Sequence, residues 1–181
     1  MSVFSNPASG AAEQATAYVN AVLELLGDRD PMEVLRDMPA AIARAIDGLS
    51  LSQLRQREEP GKWSINEILQ HLADSEVVAA WRMRVVMAED RPTITGYDQD
   101  LWAQRLHYDE EDPHEAVERF RLLRRGMLRL LERATAADFA RAGVHAERGE
   151  ESLGLMLKLY AGHDLLHLRQ IARVRGVVAP S

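Results

Sequence analysis

The sequence contains no cysteine. That excludes disulfides, thiolate metal sites, iron–sulfur clusters and any cysteine nucleophile from this chain. No apolar run approaches about 18 residues, so no transmembrane helix and no membrane partner is expected. The opening residues, Met1-Ser2-Val3-Phe4-Ser5-Asn6-Pro7, place no basic cluster before an apolar core, so no secretory signal is read there and the expected location is cytoplasmic. Positive charge is also short: 22 Lys and Arg against 28 Asp and Glu leave a net charge of −6, without the basic footprint of a nucleic-acid binder. Glycine and proline are few and sit mainly between periodic stretches, and alternating runs of Val, Ile and Thr are nearly missing, so the period-2 signal of strands is absent. There is no His-Glu-x-x-His motif, no glycine-rich phosphate loop and no Gly-x-Ser-x-Gly elbow. What the chain does have is a hydrophobic fraction of 46% over 181 residues, enough to bury the core of one domain.

Its periodicity is helical. A first helix is expected from about Gly10 to Leu26, stopped at Gly27. Asp30-Pro31 supplies an N-cap and a first-position proline for the next. Pro39 is expected to interrupt that helix and open another, which carries Ile42 and Ile46 inward and ends at Gly48. After the turn Glu59-Pro60-Gly61, Ser64 and Glu67 form a capping box, and Trp63 can staple onto Ile68, starting a long helix to about Glu89. Residues 90–112 form a long connection with a short helical piece from Asp98 to Leu106. Asp112-Pro113 begins a helix to about Arg133, packing Val117, Phe120, Leu123, Met127 and Leu131. A loop with Gly143 and Gly149 follows, and Ser152 caps a last helix that Gly176 ends. These elements predict an all-α protein, a four-helix bundle with a long crossover connection. Residues 1–29 are read as an N-terminal helical extension, 30–176 as the bundle and 177–181 as a C-terminal tail.

Six histidines are the chemically distinctive residues. His163 and His167 are four apart on the last helix and share its apolar stripe with Met156, Tyr160, Ile171 and Val174, together with Gln170, whereas Lys158, Leu165, Arg169 and Arg173 take the solvated face. Imidazoles on a core stripe need partners, since an unsatisfied buried polar group costs about 1–3 kcal/mol. They are either core histidines bonded to neighbours or two ligands of one metal ion, and the spacing suits the second. His71 lies on the shoulder of the stripe Ile65, Ile68, Leu72, Ala79 and Met83 and supplies a third imidazole, leaving a fourth position open. His107 and His114 flank the acidic run Asp109-Glu110-Glu111-Asp112 and read as solvated. Glu111-x-x-His114 mimics half of a di-iron motif without its second copy. His145 could approach a site mouth. Glu67, Asp74 and Asp164 read as ligand partners, caps or surface charges, and none is assigned as a general base.

The stretch from Gly61-Lys62-Trp63-Ser64 through Gln70-His71-Leu72-Ala73-Asp74-Ser75-Glu76 resembles the first signature of the DinB/YfiT-like superfamily, and Gly162-His163-Asp164-Leu165-Leu166-His167-Leu168-Arg169-Gln170-Ile171 resembles its last. Tyr97, Trp102, Tyr108 and His145-Ala146-Glu147-Arg148-Gly149 fall between them in order. The resemblance covers roughly residues 30–176. It implies a four-helix bundle holding a divalent ion, zinc or nickel, on His71, His163 and His167, in a protein that is often a homodimer. It further implies either a thiol S-transferase using a low-molecular-weight thiol or a metal-dependent hydrolase.

With no cysteine and no serine–base arrangement, any nucleophile must come from outside the chain. Together with the resemblance, this makes metal-dependent transfer of a low-molecular-weight thiol to a small electrophile the expected function. Hydrolysis and a non-catalytic metal-binding stress role are the alternatives. Val77, Trp81 and Val85 lie off the core stripe of their helix, where they would cover a partner subunit or pack under the N-terminal helix.

Overall fold

In a computed structural model, residues 12–179 are described. Their helices are α1 (Ala12–Leu26), α2 (Pro31–Ile46), α3 (Leu51–Arg55), α4 (Ile65–Ala88), α5 (Gln99–Arg105), α6 (Pro113–Leu131), α7 (Ala136–Ala140) and α8 (Leu153–Val178), with strands β1 (Thr93–Ile94), β2 (Ala142–His145) and β3 (Gly149–Ser152). The helix starts are set by local chemistry. Asp30, Asp98, Asp112 and Ser152 each accept a backbone N–H of their own first turn. Ser64 and Glu67 complete the expected capping box, the Glu67 carboxylate accepting the Ser64 N–H at 2.7 Å.

Helices α2, α4, α6 and α8 form the bundle: α2 packs on α6 and α8, and α4 packs on the same two. Two apolar clusters fill it. One gathers Met38, Ile42, Leu69, Leu72, Phe120, Ile171 and Val174. The other gathers Leu35, Ala79, Met83, Val86, Met127 and Met156. A polar layer separates them, made by Arg124 of α6, Glu76 of α4 and Asp164 of α8, each at most 2% exposed. Arg124 donates from Nε and Nη2 to Glu76 at 3.0 and 2.8 Å, and from Nη1 to Asp164 at 2.6 Å.

The fourth helix joins this layer through Pro39. The expected break there does not occur, and α2 runs unbroken through the proline. A proline inside a helix lacks an N–H, so the carbonyl four residues earlier loses its partner. That carbonyl belongs to Leu35, and Arg124 Nη1 donates to it at 3.0 Å. The same guanidinium therefore neutralises two buried carboxylates and mends the gap in α2.

Three further features depart from expectation. α8 continues through Gly176 to Val178, so the first two residues of the proposed tail are helical, and residues 180–181 lie outside the described residues. Leu165 does not face solvent but packs against the cluster around Met156. The loop carrying Gly143 and Gly149 is not structureless: β2 pairs in parallel with β1 (Thr93 with Val144, Ile94 with His145) and antiparallel with β3. The hairpin turns at Gly149, whose φ of +78° is cheap only for glycine.

The helical extension docks on α8 through Ala15, Val22 and Leu26, all buried. Contact is close at Gly162, where a Cβ would stand 2.2 Å from the Val22 carbonyl oxygen. The expected start of this helix at Gly10 lies outside the described residues. Among them, no helix is long and apolar enough to cross a membrane.

Replacing Arg124 with Met should leave Glu76 and Asp164 buried without their cation and Leu35 without its donor. Breaking a buried pair on one side costs about 3–5 kcal/mol. Urea unfolding of Arg124→Met should show a loss of that size, and a loss below about 1 kcal/mol would contradict the role given to this layer.

Candidate metal centre

His71 comes from the second turn of α4, and His163 and His167 from the middle of α8. The helix pair brings the three rings together. Centroid separations are 5.2 Å for His71–His163, 4.7 Å for His71–His167 and 4.4 Å for His163–His167. One ring nitrogen from each lies within 4.8 Å of the others. The His71 and His163 Nε2 atoms are 3.0 Å apart, close to the roughly 3.3 Å expected between two nitrogens on one tetrahedral ion.

Electrostatics suits ligation. Burial, with the neighbouring imidazoles adding to it, holds His71 well below its ordinary pKa. Burial and His163 push His167 down to about 3. Both rings are therefore neutral at physiological pH, the state in which imidazole binds metal. With its proton on Nδ1, His167 donates to Gln170 Oε1 at 2.8 Å, leaving Nε2 as the lone-pair nitrogen. His71 Nδ1 is buried and has no partner among the described residues. Behind His163, Asp164 Oδ1 stands 3.9 Å from Nδ1, which joins the cluster to the Arg124 layer. Burial alone would raise the Asp164 carboxyl, but Arg124 outweighs it and keeps Asp164 below the usual range. For Glu76 burial wins, and its carboxyl is raised. Three convergent imidazole nitrogens and no anionic donor among them fit a borderline divalent cation such as zinc or nickel.

Beside His163 opens a pocket walled by Ser75 and Arg82 of α4, Tyr97, Tyr160 of α8 and Tyr18 of α1. Ser75 Oγ lies 3.4 Å from His71 Nε2 and 2.9 Å from the Tyr97 hydroxyl. Burial pushes the Tyr97 phenol up to about 12 and also raises Tyr18 and Tyr160, so all three stay neutral.

The other candidates fall elsewhere. His107, His114 and the acidic run between them are exposed. Each nearby carboxylate is engaged: Asp74 accepts from the Tyr108 hydroxyl at 2.6 Å, Glu67 is in its capping box and bound by Arg57, and Asp164 is bound by Arg124. His145 is 1% exposed on β2, with Nδ1 accepting the Glu147 N–H, and is not part of the cluster. Sequence reading missed Arg82, Tyr18 and Arg124. Arg124 had a signal, since it falls between Phe120 and Met127 on the inward stripe of α6.

Burial first, then Arg148, pushes His145 down to about 4. Below its ordinary pKa of about 6.5 the unfolded chain binds a proton that the folded chain refuses, so His145 contributes stability fully above pH 6.5 and loses it as pH falls toward 4. Between pH 7 and 5, urea unfolding should lose up to about 2 kcal/mol more in wild type than in His145→Gln. Identical losses would contradict the buried neutral state.

Comparison with known proteins agrees with this geometry. The model of the DinB superfamily matches residues 35–171. A relative from Bacillus mycoides is 30% identical over 159 residues, covering 87% of this chain and 90% of its own. Another, from Oceanobacillus iheyensis, is 30% identical over 138 residues, covering 76% and 79%. Both are provisionally named metal-dependent hydrolases. The solved structure of YfiT from Bacillus subtilis, described in the same provisional terms and as an unusual four-helix bundle, superposes with a TM-score of 0.75 at 26% identity over 80% of this chain and 83% of that one. The chain belongs to the DinB superfamily.

Proposed function

We propose that His71, His163 and His167 hold one divalent ion, zinc or nickel, and that the adjoining pocket seats a small-molecule substrate for metal-dependent transfer of a low-molecular-weight thiol to an electrophile. A divalent ion bound there would supply Lewis acidity, lowering the pKa of a thiol or water that reaches it. The chain's own residues hold the His71 and His167 imidazoles neutral by burial, fix the His167 tautomer through Gln170, and line the approach with neutral hydroxyls.

One observation favours thiol over water as the nucleophile. Among the described residues, the carboxylates around the cluster are already engaged: Glu67, Asp74, Glu76 and Asp164 are all held by cations or hydroxyls. A thiol, with a free pKa of about 8.5, needs far less help to ionise than water does. Hydrolysis is the second reading, supported by the provisional names of the relatives.

Elemental analysis of protein purified without a histidine tag should find about one ion per chain. His71→Ala, His163→Ala and His167→Ala should each strip most of it, while His107→Ala and His114→Ala should not. Full occupancy in His167→Ala would reject the ligand set. Zinc- or nickel-loaded protein should conjugate monochlorobimane to bacillithiol, mycothiol or glutathione faster than the uncatalysed reaction, and His163→Ala should not. No acceleration with any thiol, or an unchanged rate in His163→Ala, rejects thiol transfer. Substrate cleavage without thiol would then favour hydrolysis.

The assembly we propose is a cytoplasmic homodimer. Val77 and Trp81 are 44% and 51% exposed on the outer face of α4, with Val85 one turn further on, and α1 covers α8 instead. Light scattering should return twice the 20.3 kDa chain mass, and Trp81→Glu should return the monomer.

A further inference from the structure

Arg82 is 5% exposed, yet no carboxylate among the described residues offsets its charge. The contrast with its neighbours is sharp. Arg124 faces two carboxylates, and Arg148, across the pocket, is bound at two points by Glu151. Arg82 instead donates from Nη1 to the Tyr160 hydroxyl at 3.3 Å and from Nη2 to the Thr95 carbonyl. A guanidinium carries five N–H groups. Two are used, and among the three left is the buried Nε–H, which has no partner among the described residues. Burying a charge without a counter-charge is costly, and a ligand that supplies one recovers that cost on binding.

The position is suited to a ligand. Arg82 lines the pocket that reaches His163, and the Tyr160 hydroxyl it contacts belongs to the residue one helical turn before His163. Once Glu151 has cancelled Arg148, the pocket holds one uncompensated positive charge. An Nε–H and an Nη–H on one edge of a guanidinium match the two oxygens of a carboxylate. Met156 and Leu159 add an apolar wall.

We infer that Arg82 anchors the carboxylate of the substrate, and that the substrate class is a small monocarboxylic acid with an apolar body, its reactive end toward His163. This rests on reading the pocket as the substrate's seat beside the histidines, and not on which nucleophile arrives there.

The test is an NMR chemical-shift titration of chelator-treated, dialysed protein with N-acetylmethionine and with its uncharged amide. Neither ligand has a thiol and no metal is present, so failure of thiol transfer leaves this result standing. Wild type should bind the acid about tenfold or more tightly than the amide, the scale of one charge-assisted pair. Arg82→Gln should bind the two alike, and Arg82→Lys should keep only part of the preference. Equal affinities in wild type, no detectable binding of the acid, or an unchanged preference in Arg82→Gln would overturn the assignment in favour of a purely structural arginine. Should Arg82→Gln fail to fold, Arg82→Lys decides: a preference equal to that of wild type overturns it.

Discussion

The Arg124 guanidinium ties together all four helices of the bundle. It extends from α6, neutralises Glu76 of α4 and Asp164 of α8, and caps the Leu35 carbonyl of α2. Each of these groups is expensive alone in an apolar interior, since a buried charge or unpaired carbonyl finds no substitute for water. Together they are mutually satisfied, but only in one alignment. Sliding any helix by a turn would strand a charge, whereas sliding an apolar stripe merely exchanges one contact for another. The layer therefore fixes the register of α4 against α8, and it is this register that sets His71 opposite His163 and His167.

The division of labour around the cluster follows from charge. His71 and His167 are stripped of protons by burial, so they can donate lone pairs. The carboxylates nearby are committed to arginines and hydroxyls, so they neither compete for the cation nor take its place. Ser75, Tyr97 and Tyr160 supply polarity without charge on the pocket side. An ion at three neutral nitrogens would keep its full formal charge, and the pocket's uncompensated positive charge adds to it. The whole cavity thus favours negative groups, although the chain as a whole is acidic.

What was legible from sequence was what depends on neighbours a few residues away. Ser64 with Glu67 and Asp112 with Pro113 each act within one helical turn and are found where expected, and His163 and His167, four apart, share the face that meets His71. What was illegible depended on distant partners. Pro39 reads as a helix break because its compensation, Arg124 to the Leu35 carbonyl, spans 89 positions. The small sheet was missed because β1 is two residues long and pairs with β2 some fifty residues on, too short and too distant for a period-2 signal. The burial of His71 was ambiguous on its own helix, and was settled by α8 and by Trp63, whose ring lies 5.0 Å from the imidazole.

The docking of α1 on α8 has a corollary for the pocket. The family match begins at residue 35, whereas Tyr18, which walls the pocket, lies before it on α1. The chemistry-bearing cluster and the register-setting layer belong to one segment, and part of the selectivity belongs to another. Substitutions in α1 can reshape the cavity without disturbing a ligand or a buried charge. The ligand cluster and part of the cavity wall therefore sit on different helices, and the shape of the cavity can be changed at Tyr18 without touching a histidine of the cluster.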